Sequence, residues 1–277
     1  MRVLISVDME GIAGVVEYDD VRPGTISYER CRRLMTDEAS AAVRGVLAVD
    51  PQAEVLVADA HGDFRNLLPD VLDRRAHLVR GRPRRHCQLA GLERGVDAVV
   101  LVGYHAKAGA EHGILAHTVA GRVIFDVRCD GRSLGEIGLN VAHAAAHGAA
   151  TVLVTGDDIT AAEARDVSPG IHTVAVKEAL GGWAAASLHP EEACARIEAA
   201  VPEALAARDA IAPLRFDGPV SLEIDLVRPV MGEPVLLVPG MERCGDRGVR
   251  YQAPDFETAY RVVELVATLA PVGSISS

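Results

Sequence analysis

Apolar residues fall along this chain in short dense runs, separated by longer stretches in which they recur every three or four positions. Five runs rich in Val, Ile and Leu stand out: VLISV (3–7), EVLVA (54–58), DAVVLVG (97–103), TVLVTG (151–156) and TVAV (173–176). Runs without polar alternation suit strands buried on both faces, as in a parallel sheet covered by helices. Between them, SYERCRRLMTDEASAAVRGVLAVD sets Cys31, Leu34, Met35, Ala39, Ala42, Val43, Val46 and Leu47 on one stripe. That spacing predicts a helix with Ser27 as its N-cap and Glu29 in its first turn. GEIGLNVAHAAAHGA reads as another helix, ending at Gly148. Strand and helix alternate, which predicts the α/β class with a mostly parallel central sheet flanked by helices.

Past about residue 185 the pattern changes. HPEEACARIEAAVPEALAARDA is helical but interrupted at Pro202, and VSLEIDL alternates as a half-exposed strand does. DFETAYRVVELVATLA is an amphipathic helix behind an Asp255 cap, and the tail PVGSISS is expected to fray. We therefore expect an α/β domain over residues 1–185 and a smaller α+β part over residues 186–277.

Composition narrows the function. The chain has 277 residues, 49% hydrophobic, but no run approaches the roughly 18 apolar positions of a membrane span. MRVLISVD enters a strand at once, without an apolar leader and cleavage site, so a cytoplasmic location is expected. Five cysteines, an odd number without a C-x-x-C pair, are expected to be reduced and mostly buried. A net charge of −11 argues against a nucleic-acid backbone as partner. The basic segment RGRPRRH (80–86) reads as a solvated turn or an interface.

Chemistry collects where the apolar runs end. Alternation along an extended chain sends Asp8 and Glu10 to one side and Met9 to the other. Two like charges at the rim of a buried sheet need a cation, a shared proton or a basic partner, and no Lys or Arg lies between Val3 and Asp20. The second run ends with Asp59 and His61, the third with His105, the fourth with Asp157 and Asp158. These ends form the edge at which open α/β sheets bind ligands. Asp59, Asp157 and Asp158 taken singly are at least as well explained as helix caps or turn acceptors. Two histidines at matching strand ends beside the acid pair favour a metal. A carboxylate and imidazole set without thiolate suits Zn²⁺, Mn²⁺ or Co²⁺ in a catalytic site. His117 in GILAHTV and Glu136 in GEIGLN, alone, read as a structural histidine and a first-turn acid.

The segments SVDMEG, DAH, GYHA, AHTV and GEIGLN, in this order and spacing, resemble the zinc-dependent D-aminopeptidases of the dipeptide-transport-operon type. The resemblance runs through nearly the whole chain, VTGDD and TVAVKEA included. It implies two zinc ions per subunit held by Asp8, Glu10, His61, His105 and Glu136, with Asp8 shared between them. It also implies His117 as the catalytic histidine, and residues 1–185 as the metal-binding catalytic domain. A water between the ions would attack the scissile carbonyl of a short peptide with an N-terminal D-residue, and the metals would bind the free amine. Lys177 and Asn140 would contact substrate or support the ligands, or else serve structure. The family's assembly implies a homo-oligomer, a decamer of two stacked five-membered rings. Ala58, Ala60 and Thr118 depart from the family pattern. Ala58 and Ala60 keep open a second reading, a metal-dependent hydrolase of another small amide. A third, a nucleotide-binding module suggested by Gly11 and Gly14, lacks any G-x-G-x-x-G or G-x-x-x-x-G-K-[ST] segment.

Overall fold

The computed structural model describes residues 1–274, whose strands form two sheets. In chain order the strands are β1 (Arg2–Val7), β2 (Glu54–Asp59), β3 (His77–Val79), β4 (Ala98–Val102), β5 (Ile124–Cys129), β6 (Arg132–Ser133), β7 (Ala150–Asp157), β8 (His172–Gly181), β9 (Ala184–Ser187), β10 (Val220–Leu226), β11 (Met241–Cys244) and β12 (Gly248–Ala253). The helices are α1 (Tyr18–Val21), α2 (Ile26–Val49), α3 (Glu136–Ala146), α4 (Asp158–Val167), α5 (Pro190–Ala206), α6 (Gly232–Val235) and α7 (Phe256–Leu269).

The five dense apolar runs all become strands of one sheet, ordered β3-β2-β1-β4-β7-β8-β9. Its pairs are parallel up to β8, and β9 returns antiparallel as a hairpin edge. The run character follows from burial: every residue of β4, and all of β1 and β7 except the first, is enclosed, so no position needs to be polar for solvent. The chain leaves β1 in one direction to β2 and returns on its other side at β4, which puts a crevice at the C-terminal ends of these strands. The second sheet, β11-β12-β10-β5-β6, is antiparallel and takes strands from residues 124–133 and 220–253. Along β10 buried and half-buried positions alternate, as VSLEIDL predicts.

Three local expectations need correction. Thr25, not Ser27, caps α2: its hydroxyl accepts from the Tyr28 amide, while Ser27 donates to the Asp19 carbonyl. Pro202 does not interrupt α5, which runs through it. The carbonyl of Glu198, four residues earlier, lies where a side chain on Gly45 of α2 would sit, 2.7 Å from the ideal Cβ position. Close packing of α5 on α2 therefore outweighs the lost helix bond. Ala270–Ser274 continue α7 as a 3₁₀ turn instead of fraying, and the rest of the expected frayed tail, residues 275–277, lies outside the described residues. The Asp255 cap on α7 is present, accepting from the Thr258 amide at 2.7 Å. Cys31 and Cys129 are buried, the other three half-buried, and all five are free. Among the described residues no helix is long and apolar enough to cross a membrane.

Candidate active site

The loops leaving β1 and β4 cross so closely that only glycine fits at two points. A Cβ on Gly11 would lie 1.9 Å from the Tyr104 carbonyl oxygen, and one on Gly103, at φ +69°, 2.4 Å from that of Asp8. The Asp8 amide donates to Val102 O and the Gly11 amide to Gly103 O, both at 2.8 Å, so the acidic loop is tied to the neighbouring strand end. From β8 the buried Lys177 ammonium donates to three carbonyls of this loop, Glu10 and Val15 at 2.6 Å and Ile12 at 3.0 Å. Lys177 thus shapes the loop; burial pushes its pKa down to about 8 despite nearby Asp157 and Glu38.

On this frame Asp8, Glu10, His61, His105, His117 and Glu136 converge. They make two groups, Asp8 with Glu10 and His61, and His105 with His117 and Glu136; within each, one donor atom per residue lies within 4.8 Å of the others. His61 Nδ1 is 3.2 Å from Asp8 and 3.0 Å from Glu10. His105 Nε2 is 3.6 Å from Asp8 and 3.3 Å from Glu136, which places Asp8 between the two groups. His117 Nε2 lies 3.7 Å from Glu136, and its ring stacks on that of His105 at 4.1 Å.

Each imidazole is oriented through its other nitrogen. His61 Nε2–H donates to Val21 O, His105 Nδ1–H to Ala106 O and His117 Nδ1–H to Leu115 O, at 2.9, 3.0 and 2.8 Å. The remaining nitrogens therefore present lone pairs to the acids, the arrangement of metal-binding histidines. His105 Nε2 is buried and has no hydrogen-bond partner. A nitrogen enclosed between two carboxylates calls for a positive charge, a proton or a metal ion, and this set of carboxylate and imidazole donors fits zinc.

The charge balance agrees. Burial, then repulsion from Glu10, pushes Asp8 up to about 8. Burial also opposes charge on Glu10 and Glu136, but His61 beside Glu10 and His105 beside Glu136 outweigh it, holding Glu10 well below its usual range and Glu136 at about 2. Burial disfavours charged His61 and His105 as well, yet Glu10 and Glu136 respectively hold them well above theirs. His117 moves the other way, lowered by burial and by His105. Three enclosed carboxylates thus hold positive charge among them, a role that metal ions fill as well as protons.

Sequence reasoning passed over the residues that hold Glu136. Gln88 in the turn after β3 donates its amide to Glu136 Oε2, and the Val119 amide donates to Oε1 at 2.6 Å. Asn140, one turn along α3, donates to Gln88 Oε1 at 2.7 Å and accepts from Tyr260 of α7 at 2.8 Å. Asn140 is thus tied to the residue that holds Glu136. Tyr104 and Ser6 extend the network beneath it. Isolated polar residues on distant elements leave no local pattern, and only contact reveals them. The other strand-end acids do ordinary work: Asp59 accepts from the Asn66 and Leu67 amides, Asp157 caps α4, and Asp158 accepts from the Ala179 amide.

The group opens into a cleft of about 210 Å³ whose other wall carries the apolar Phe64, Val119, Leu139 and Val263 together with Arg82 and Glu264. Ala60 lines it, whereas Ala58 lies buried within β2, so of the two alanine departures only Ala60 reaches the cleft.

Acids and imidazoles at the C-terminal edge of a parallel sheet, lining a cleft, define a metal-dependent hydrolase centre. Residues 1–265 match the D-aminopeptidase family of peptidases, and the chain belongs to that family. It is 32% identical over 274 residues to a D-aminopeptidase of Bacillus subtilis (strain 168), covering 98% of each chain. Its fold superposes with a TM-score of 0.94, at 30% identity and 98% coverage of both chains, on a structure described as the Zn-dependent D-aminopeptidase DppA from Bacillus subtilis, a self-compartmentalizing protease.

Proposed function

We propose that this protein is a zinc-dependent D-aminopeptidase that hydrolyses short peptides with an N-terminal D-residue. Asp8, Glu10, His61, His105 and Glu136 would hold two zinc ions, with Asp8 shared, and His117 would handle the proton. The observation that carries the reading is the buried Nε2 of His105, which faces Asp8 and Glu136 without a hydrogen-bond partner.

When bound, zinc supplies Lewis acidity toward the scissile carbonyl and lowers the pKa of an attacking water toward about 7. The protein's own groups do the rest. His117 presents Nε2 to the cleft, because Leu115 O holds its Nδ1–H, and takes a proton from the water and returns it to the leaving amine. Asp8, Glu10 and Glu136 would hold the metal that offers a position for the substrate's free amine, which favours cleavage next to an N-terminus. Phe64, Val119 and Leu139 receive an apolar side chain and shield the carbonyl from bulk solvent. Arg82, half-exposed at the same cleft and 3.6 Å from Asp63, would exchange that surface acid for the carboxylate of a short peptide. Residues 1–185 supply every proposed ligand, while the 186–277 part adds Tyr260 and Val263 to the wall.

By extension from the self-compartmentalizing relative, the chain would assemble into a homo-oligomer enclosing the cleft, a decamer of two five-membered rings. Exposed Ile26, Leu180 and Trp183, at 94%, 64% and 67%, with Tyr18 edge-on to Trp183, are apolar surface suited to such contacts. Light scattering should show a particle far larger than a dimer; a monomer at micromolar concentration counts against it.

A panel of D-peptides, matched L-peptides and simple amides, assayed with zinc-loaded protein, tests the activity. Hydrolysis confined to peptides with an N-terminal D-residue is expected. Inactivity on all D-peptides overturns the reading.

A further inference from the structure

A second group of three histidines lies outside the cleft. His143 belongs to α3, His147 follows at its C-terminal end four residues later, on the same face, and His86 reaches over from the loop after β3. One ring nitrogen from each lies within 4.8 Å of the others. None of the three serves the catalytic group, whose Glu136 lies about 10 Å back along α3 at 1.5 Å per residue.

Hydrogen bonding does not account for the trio. Among the described residues one hydrogen bond links the rings, His86 Nδ1 with His143 Nε2 at 3.0 Å, and none holds the His147 ring. His86 is held in left-handed backbone, at φ +59°, which turns its ring toward α3. On the outer side, Glu93 Oε2 stands 3.9 Å from His86 Nε2 and Glu257 Oε2 stands 3.8 Å from His147 Nε2. At these separations the acids make no direct hydrogen bond to the rings, but they place negative charge on the outer side of the ligand set. They also offset the charge of a dication. Zn–N bonds of about 2.0–2.1 Å put two ligand nitrogens of a tetrahedral site roughly 3.3 Å apart, so the 3.0 Å pair opens only slightly to admit an ion. Entry is available: the His147 side chain is 25% exposed and faces a hollow shared with Phe216, Asp255 and Glu257.

We propose that His86, His143 and His147 bind one zinc ion at a site separate from the catalytic centre. With three imidazoles, its fourth position falls to water. Such an ion ties the loop before Gln88 to α3, so it acts as a staple on the scaffold that carries Glu136.

The test is zinc per chain, measured by mass spectrometry after metal stripping, reloading with zinc chloride and desalting. His147→Ala, at a partly exposed position, should hold about one ion fewer than the wild type, with D-peptide turnover changed less than about twofold. His86→Asn, which tolerates the left-handed backbone, should lose the same ion. Glu136→Gln should lose zinc only from the cleft, and the zinc it retains should fall by one more ion when combined with His147→Ala. Zinc should also raise the melting temperature of the wild type more than that of His147→Ala. Equal zinc content in wild type, His147→Ala and His86→Asn overturns the proposal, as does complete loss of zinc in Glu136→Gln. Neither result depends on whether the cleft cleaves D-peptides.

Discussion

Helix α3 serves two groups of three imidazoles, and two members of each are driven in opposite directions, His61 and His105 up, His86 and His143 down. His61, His105 and His117 share their space with Asp8, Glu10 and Glu136, and the acids hold His61 and His105 well above the usual range. His86, His143 and His147 enclose no carboxylate. There burial, with His147 and His86 adding repulsion, pushes His143 down to about 3, and burial with His147 lowers His86. Burial alone acts the same way in both places. The difference lies in the neighbours: acids turn a buried histidine into a proton or metal holder with charge to spare, whereas histidines packed on one another stay neutral and offer lone pairs. A dinuclear centre needs the first arrangement, because carboxylates must balance two dications. A single ion can sit in the second if acids such as Glu93 and Glu257 stand behind the ligands.

The strongest way to break this comparison is to change the acid that both catalytic groups share. Asp8→Asn should lose more than one zinc per chain and reduce kcat/KM by about 10³-fold or more, several kcal/mol of transition-state stabilisation. Glu10→Gln should weaken mainly one site. Full metal occupancy in Asp8→Asn, read by mass spectrometry, removes its bridging role. Next comes His117→Ala, which should keep its zinc while kcat falls by roughly 10² to 10⁴ and KM changes less. Loss of an ion would instead place His117 among the ligands, a question its 3.7 Å approach to Glu136 makes sharp.

A buried acid without an imidazole completes the set. Glu38 on α2 accepts from the Ala13 amide at 2.8 Å, but its Oε2 has no partner. Burial lifts its pKa from 4.5 to about 7. Between those values the native chain keeps a proton that the unfolded chain has released, so stability falls as pH rises through the window and the full penalty stands above it. At 1.36 kcal/mol per unit this is about 3 kcal/mol. Glu38→Gln cannot ionise, so its stability relative to wild type should rise by about that amount between pH 4.5 and pH 8. Denaturant unfolding of both proteins across the range measures the difference, in which the titration of the active-site acids cancels. A flat difference would show that Glu38 is solvated or paired.

These residues differ in how far sequence alone could find them. Asp8, Glu10, His61 and His105 were legible because each closes a dense apolar run, and parallel strands gather such ends at one edge. The sheet was legible for the same reason, since burial on both faces leaves a signature within one strand. Glu38, Gln88 and His86 carry no such mark. Glu38 is one acid among several on a long helix, and its enclosure comes from the loop after β1. His86 ends, and Gln88 follows, a basic segment that reads as a solvated turn or an interface, and His143 and His147 show the i, i+4 spacing without revealing what faces them. Pro202 misled because helix–helix packing, invisible locally, outweighs its cost. The Thr25 cap was missed because Thr25 and Ser27 are nearly equivalent by type, and only backbone geometry separates them.

The smallest effect tests whether the two histidine groups are independent. Gln88 lies two residues past His86 in sequence and donates a hydrogen bond to Glu136, so it links the two groups directly. Gln88→Ala removes the donor to Glu136 Oε2 and the acceptor for Asn140 Nδ2. Loss of a group that orients a metal ligand typically costs 10- to 100-fold in metal affinity or activity, and about that loss is expected here for zinc in the cleft. Gln88→Glu should do worse, since it presses a further acid against Glu136. Zinc affinity measured by chelator competition separates this from a packing role, which would lower the melting temperature while leaving zinc binding unchanged. The ion proposed for His86, His143 and His147 should stay in Gln88→Ala, because none of its ligands is touched. Were both classes of zinc to weaken together, the two groups would form one electrostatic unit, and the contrast between acid-rich and acid-free histidines would have to be redrawn around the turn that joins them.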